Sequence, residues 1–104
     1  MIVQINAQVY AYYEHYCPVY RIWINDNLFI EREYWVDCLS NLIEEEIFAE
    51  LDVGEHTLTL EKAKPFPNAK IWIEKIILTY DNNQKELNFP IQPQDKQIIK
   101  FKIE

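Results

Sequence analysis

Apolar and polar side chains alternate along most of this chain, and this alternation predicts β-strands. Successive side chains of a strand point to opposite sides, so a two-residue period places the apolar groups on one face. Residues 2–13 follow this rule, with Val3, Ile5, Ala7 and Val9 on one face. The same period recurs in 18–25, 28–36, 42–52, 56–63 and 97–103, with a shorter strand around Leu87 and Phe89.

The number of strands indicates the fold class. Seven or eight short strands joined by tight turns predict one all-β domain over residues 1–104, an antiparallel two-sheet sandwich that is jelly-roll-like. A small β-barrel is the alternative, because many short strands can also close on themselves. Residues 70–80 are apolar on both faces, which is typical of a central strand covered on both sides.

The only glycine, Gly54, predicts a hairpin. A Gly-Glu loop suits a type II′ turn, whose first central residue has a positive φ. Residues 42–52 and 56–63 would then pair, with Leu51 opposite Leu58. For residues 39–49 a short helix is the alternative to a strand, because their leucines and isoleucines also fall at helical spacing.

A second hairpin is predicted around the loop Asn25-Asp26-Asn27. A three-residue loop gives one apolar face and one mixed face, and the hydrophobic pattern therefore selects this register. The expected pairs are Ile24 with Leu28, Trp23 with Phe29, Ile22 with Ile30, and Arg21 with Glu31.

Composition favours a small β domain with a single core. The 104 residues are 49% apolar and include fifteen isoleucines and five valines, whose branched side chains suit strands. No apolar run approaches the roughly 18 residues that a membrane span requires. The chain starts directly in the alternation, with no signal peptide visible, so a cytoplasmic or virion-associated location is expected. Cys17 and Cys38 fall on opposite sides of the predicted sheet, which favours reduced thiols.

Charge is distributed unevenly along the chain. Residues 1–61 hold two arginines and twelve carboxylates, a net −10, whereas residues 62–104 hold eight lysines and five carboxylates, a net +3. Acidic strands paired with lysine-bearing strands would explain this split. The alternative is a bipolar surface for head-to-tail association. The overall charge of −7 argues against a nucleic-acid partner, whose phosphates bind Lys and Arg.

Residues that could carry chemistry are few, so we expect no enzyme, no metal and no cofactor. His15 and Cys17 lie two residues apart and would project in parallel, which is a poor basis for a catalytic dyad. No zinc-ligand spacing occurs, and the Asp and Asn residues of the loops are ordinary turn formers as well as calcium ligands. Glu44, Glu45 and Glu46 are expected to form a solvated stretch.

The aromatic residues are the better guide to a binding site. Trp23 and Phe29 are expected on the mixed face of the second hairpin, flanked by Arg21 and Glu31, and Trp72 lies on the long strand. Such rings could form the core, contact a protein partner, or stack on sugar rings. These five residues are the candidate ligand or partner site.

Three segments together resemble a known family. Val19-Tyr20-Arg21-Ile22-Trp23-Ile24-Asn25-Asp26, Gly54-Glu55-His56-Thr57-Leu58-Thr59-Leu60 and Ile71-Trp72-Ile73-Glu74-Lys75-Ile76 are similar to the jelly-roll sandwiches of calcium-dependent xylan-binding modules. They are equally similar to small β proteins of marine phages. The resemblance implies the sandwich fold, but the aspartate-rich calcium loop of the binding modules has no counterpart in this sequence.

These patterns predict a non-enzymatic structural, assembly or protein-interaction module, plausibly viral, whose partner is a protein, either another protein or a second copy of the chain. A carbohydrate-binding module that uses the aromatic residues of a sheet face on a glycan is the alternative. Neither a nucleic-acid nor a membrane partner is expected.

Overall fold

The chain folds as two antiparallel four-stranded sheets packed face to face. The structure is a computed structural model that describes residues 1–35, 42–63 and 68–104. Sheet I has the strand order β4-β1-β6-β7 and sheet II has the order β3-β2-β5-β8. The strands are β1 (Ile2–Tyr12), β2 (Val19–Ile24), β3 (Asn27–Glu33), β4 (Ile43–Glu50), β5 (Gly54–Lys62), β6 (Lys70–Tyr80), β7 (Asn83–Asn88) and β8 (Lys96–Ile103).

This architecture confirms the antiparallel sandwich. The described strands form two separate sheets and do not close on themselves, so the barrel alternative is wrong. In the described ranges, no helix is long and apolar enough to cross a membrane.

The core lies between the sheets and is built from the inward side chains of both. Burying a large aliphatic side chain contributes about 1.5–3 kcal/mol, and most inward positions of the central strands are aliphatic. The predicted face of β1 is confirmed, because Val3, Ile5, Ala7 and Val9 are all fully buried. Fully buried residues of the other strands include Tyr20, Ile22, Leu58, Leu60, Ile71, Ile73, Leu78 and Ile103.

The predicted hairpin at Gly54 is wrong. β4 belongs to sheet I and β5 to sheet II, so the chain crosses between the sheets at residues 51–53. Gly54 begins β5 opposite Ile103, with a φ of 131°, a conformation that favours glycine. Leu51 and Leu58 are both buried as expected, but Leu51 lies in the crossing after β4 of sheet I, whereas Leu58 lies in β5 of sheet II. The physical reason is that alternation reports which side of a strand is buried and does not report the sheet to which the strand belongs.

The β2–β3 hairpin is confirmed with a different turn. Ile24 pairs with Asn27 and Trp23 pairs with Leu28, so the loop has two residues, of which Asn25 has a φ of 53°. A bulge then accommodates Phe29 as an extra residue. It restores the expected pairs Ile22–Ile30 and Arg21–Glu31, whereas the expected Trp23–Phe29 and Ile24–Leu28 pairs are wrong.

A bulge also explains the apolar pattern of β6. Its partner β1 pairs Gln8 with Lys75 and Val9 with Ile73, so Glu74 is the extra residue. Before the bulge the odd-numbered residues Ile71 and Ile73 are buried. After it the even-numbered residues Ile76 and Leu78 are buried instead. The other side of β6 is half-buried. The prediction of a strand covered on both sides is therefore wrong, although its bounds and its central place between β1 and β7 are confirmed.

The segment for which strand and helix remained open, residues 39–49, is a strand from Ile43 onward. Residues 43–50 form β4 beside β1, so the helix alternative is wrong for this part, and residues 39–41 lie outside the described residues. Cys17 is a free, half-buried thiol, and Cys38 also lies outside the described residues. The predicted turn after β6 has Asp81 and Asn82 at φ values of 49° and 60°.

Candidate functional site

The structure separates the five predicted site residues. Arg21 and Trp23 of β2 and Glu31 of β3 point away from the core on the outer face of sheet II, where inward and outward residues alternate along β2. Phe29 lies nearby in the bulge of β3 and is 40% exposed. Trp72 belongs to β6 of sheet I, so it lies on the opposite outer face of the sandwich.

Trp23 lies in an apolar row that crosses sheet II. Its neighbour on β3 is Leu28, its neighbour on β5 is Thr59, and Thr59 in turn pairs with Ile98 of β8. Directly opposed residues share one face of a sheet and contact each other. Leu28 and Ile98 are about half-exposed, at 46% and 58%, so this row offers apolar surface to a partner.

A row of alternating charges borders the apolar row. Glu31, Arg21, Glu61 and Lys96 occupy successive strands of sheet II. Arg21 Nε donates to Glu31 Oε2 at 2.7 Å, which raises the pKa of Arg21, and Lys96 Nζ lies 3.9 Å from Glu61 Oε2. The charged groups are therefore fixed in register beside Trp23.

Two adjoining cavities open along this border. They share Glu61 and Lys96, and we call the combined depression the Trp23 groove. A separate cavity of about 280 Å³, which is not part of this groove, lies between β7 and β8. The first part of the groove, about 240 Å³, is lined by Trp23, Asn25, Asp26, Thr59, Glu61 and Lys96. The second part, about 480 Å³, is lined by Arg21, Glu61, Lys62, Ala63, Asp95 and Lys96.

Trp72 is held in place by its own neighbours. Its ring stacks on Tyr10 with a centroid distance of 5.8 Å and an interplanar angle of 11°. Its Nε1 donates to Glu74 Oε2 at 2.9 Å. One face of the ring and its only polar atom are thus engaged within the chain, and Trp72 cannot contact a small ligand bound at Trp23.

Sequence reasoning missed an ion pair between the sheets, in which a buried carboxylate meets a half-exposed arginine. Glu45 of β4 is 2% exposed, so the expectation of a solvated stretch is wrong for this residue. Its carboxylate accepts from the Tyr20 hydroxyl at 3.0 Å, and the Arg32 guanidinium lies 2.5 Å away. The bond to Glu45 raises the pKa of Arg32, and burial raises that of Tyr20. The only signal in the sequence is that Glu45 has the same spacing as the inward residues Ile47 and Ala49 of its strand.

A second polar cluster holds the crossing between β4 and β5. His56 Nε2 donates to the carbonyl of Asp52 at 2.7 Å, and its Nδ1 accepts from Asn25 Nδ2 at 3.1 Å. The Asn25 side-chain oxygen accepts from the amide of Thr57 at 3.0 Å. Both ring nitrogens of His56 are thus used to join the crossing to the β2–β3 turn.

The residues considered for catalysis are not assembled into a site. His15 is exposed and Cys17 is half-buried in the irregular stretch after β1, and Cys17 hydrogen-bonds Tyr13, which raises the pKa of that phenol. Across residues 1–35, 42–63 and 68–104, no three His, Cys, Asp or Glu side chains are grouped to hold a metal ion.

Comparison of the chain with known protein families, with curated proteins and with solved structures found no match. The resemblance to xylan-binding modules and to phage β proteins therefore stays a prediction.

Proposed function

We propose that this chain is a non-enzymatic structural or protein-interaction module that acts through the outer face of sheet II. The observation that carries the proposal is the apolar row around Trp23 with its ordered border of charges. Protein interfaces commonly combine exposed aromatic and aliphatic groups at the centre with a polar rim, and Trp and Arg are enriched among the residues that dominate affinity. The partner is a protein, either a different one or a second copy of this chain.

Self-association through this face can be measured with Trp23 as the only tryptophan. Trp35→Phe and Trp72→Phe leave Trp23, in the apolar row, as the single tryptophan, which is excited selectively at wavelengths that tyrosine does not absorb. As the concentration rises from about 1 μM to about 1 mM, the weight-average mass should rise and the emission should shift to shorter wavelength, because association removes water from the indole ring. The matched control keeps Trp72 alone and should not shift. A constant mass with an unchanged spectrum would contradict assembly.

Glycan binding is the second candidate function, and the Trp23 groove favours it over the surface at Trp72. The groove combines one indole ring with amide, hydroxyl and carboxylate groups, which is the combination that fixes a sugar ring by stacking and hydrogen bonds. Trp23 and Phe29 would supply the stacking surfaces.

A fluorescence titration tests glycan binding directly. Soluble xylan and a panel of other polysaccharides, each with and without Ca²⁺, should quench or shift the emission of the variant that keeps only Trp23. Trp23→Ala should abolish binding in a gel-retardation assay, whereas Trp72→Ala should retain it. Absence of any response across the panel would remove this candidate. The viral setting and the location stay predictions from the sequence.

A further inference from the structure

We propose that the chain assembles head to tail, with β4 of one copy pairing antiparallel to β8 of the next. This inference rests on the proposed assembly function and names its partner, a second copy, and its register. β4 is an edge strand of sheet I and β8 is an edge strand of sheet II, and no described strand lies beyond either. Unpaired strand edges are templates for the addition of another strand.

The outer faces of the two strands are complementary in charge. β4 presents Glu44, Glu46, Phe48 and Glu50, and β8 presents Lys96, Ile98, Lys100 and Lys102; all eight side chains are exposed. Each strand thus has three like charges and one large apolar group. One antiparallel register matches every position. It pairs Glu44 with Lys102, Glu46 with Lys100, Phe48 with Ile98, and Glu50 with Lys96.

The lengths of the strands agree with this register. β4 and β8 both have eight residues, and the same alignment places Ile43 opposite Ile103 at one end and Glu50 opposite Lys96 at the other. The strands therefore overlap over their full length. A shift by two residues would oppose Phe48 to a lysine and leave a charge unmatched, so charge and length select the same alignment.

The backbone groups are also correctly oriented. The amide of Leu51 donates to the carbonyl of Met1 at 2.9 Å, and the amide of Lys62 donates to the carbonyl of Asp95 at 2.8 Å. Because hydrogen-bonded pairs alternate in antiparallel ladders, the odd-numbered residues of β4 bond β1 and those of β8 bond β5. The even-numbered residues of both strands then direct their N–H and C=O groups to the open edge. These are the same residues whose outer side chains are complementary.

Pairing of either strand with its own copy is disfavoured. A symmetric antiparallel β4–β4 contact opposes Glu44 to Glu50, and a symmetric β8–β8 contact opposes Lys96 to Lys102. Like charges placed directly opposite destabilise a sheet. The contact is therefore heterologous, and such contacts build open filaments unless the rotation between copies closes a ring.

Charge reversal at two positions of each edge tests the pairing. Glu44→Lys/Glu46→Lys makes both edges basic, and Lys100→Glu/Lys102→Glu makes both edges acidic. Sedimentation velocity at low salt should show that each variant alone self-associates at least about tenfold more weakly than wild type, because two attractive pairs become repulsive. An equimolar mixture should associate again, since the reversed edges now match. The fourfold variant, which keeps the net charge of −7, should associate like wild type.

The matched control is Glu14→Lys/Glu33→Lys, which changes the net charge as much as the first variant at two exposed positions outside β4 and β8; its association should remain within about twofold of wild type. For wild type, raising salt from about 0.02 M to about 0.5 M should weaken association, a test that needs no variant.

Association that salt and both reversals leave unchanged would overturn edge pairing and leave assembly through the Trp23 face standing. A wild-type chain that stays monomeric at about 1 mM would overturn both.

Discussion

β4 and β8 are built alike on their outer sides and differ in the sign of their charge. Each is an eight-residue edge strand with one large apolar group among three charged ones, glutamates on β4 and lysines on β8. Because the two edges are complementary to each other and repel their own copies, their difference favours pairing between copies with a fixed polarity. Three of the carboxylates and three of the lysines that make up the charge split along the sequence thus lie on these two edges.

The inner sides of the two strands differ in a second way. β8 contributes Ile99, Phe101 and Ile103, all buried and apolar, whereas β4 carries the buried carboxylate of Glu45. β8 is therefore held on this side mainly by apolar packing, together with the Gln97 amide that bonds the backbone of Ile73. β4 is held partly by the ion pair with Arg32 and the bond from Tyr20. Mutations on the inner sides should separate these two modes of attachment.

Phe101→Ala should give the largest loss of stability. The side chain is 5% exposed and lies in the core cluster, so truncation removes buried apolar surface and leaves a cavity, at a cost of about 3–5 kcal/mol. Urea unfolding followed by far-UV circular dichroism measures the change. The exposed neighbour is the control, and Lys102→Ala should remain within about 0.5 kcal/mol of wild type. Equal effects for the two substitutions would contradict the packing of β8.

Arg32→Ala should cost about 2 kcal/mol, less than Phe101→Ala. Removing the partner of a buried carboxylate costs about 3–5 kcal/mol when both groups are buried, and Arg32 is itself half-exposed while the bond from Tyr20 remains. The control is Arg21→Ala, which breaks an ion pair with an exposed carboxylate and should cost at most about 1 kcal/mol. If Arg21→Ala cost more stability than Arg32→Ala, the ion pair between Arg32 and Glu45 would not be what holds β4.

The smallest expected effect on stability is the one that Asp95, just before β8, contributes when the pH is lowered. Hydrogen bonds from Lys70 and Lys62 lower the pKa of Asp95 below its ordinary value of 3.8. A lowered pKa means that the charged carboxylate stabilises the fold above pH 3.8 and that this contribution is lost as the pH falls through the lower folded value. Between pH 6 and pH 3, unfolding midpoints should therefore fall less for Asp95→Asn than for wild type. Parallel profiles would show that Asp95 does not anchor β8.

The sequence predicted the faces of the strands better than their arrangement. The inward residues of β1, β5 and β8 were recognisable because burial imposes a period of two on each strand. The sheet that each strand joins was not, since β4 and β5 meet the core from opposite sides with the same period. The two bulges, at Phe29 and Glu74, were also missed, because an extra residue becomes visible only when its partner strand is known.

The same limit applies to the candidate site. The Arg21–Glu31 pair was predicted correctly although the turn was not, because the bulge at Phe29 offsets the shorter loop of the hairpin. Trp72 was grouped with Trp23 because both lie on apolar strands, yet they occupy opposite faces of the sandwich. The role of Glu45 depends on Arg32 and Tyr20 across the core, and a contact between sheets leaves no local pattern in the sequence.

The most direct test of edge pairing is a disulfide that forms only in the proposed register. In a background with Cys17→Ser and Cys38→Ser, Glu46→Cys and Lys100→Cys would lie directly opposite in neighbouring copies, about 5.5 Å apart at Cα, within reach of a disulfide. Edge pairing predicts a ladder of covalent oligomers on mild oxidation. Glu46→Cys with Lys96→Cys, four residues out of register, should give mainly monomer. Equal ladders from the two variants, or none from either, would contradict pairing of β4 with β8.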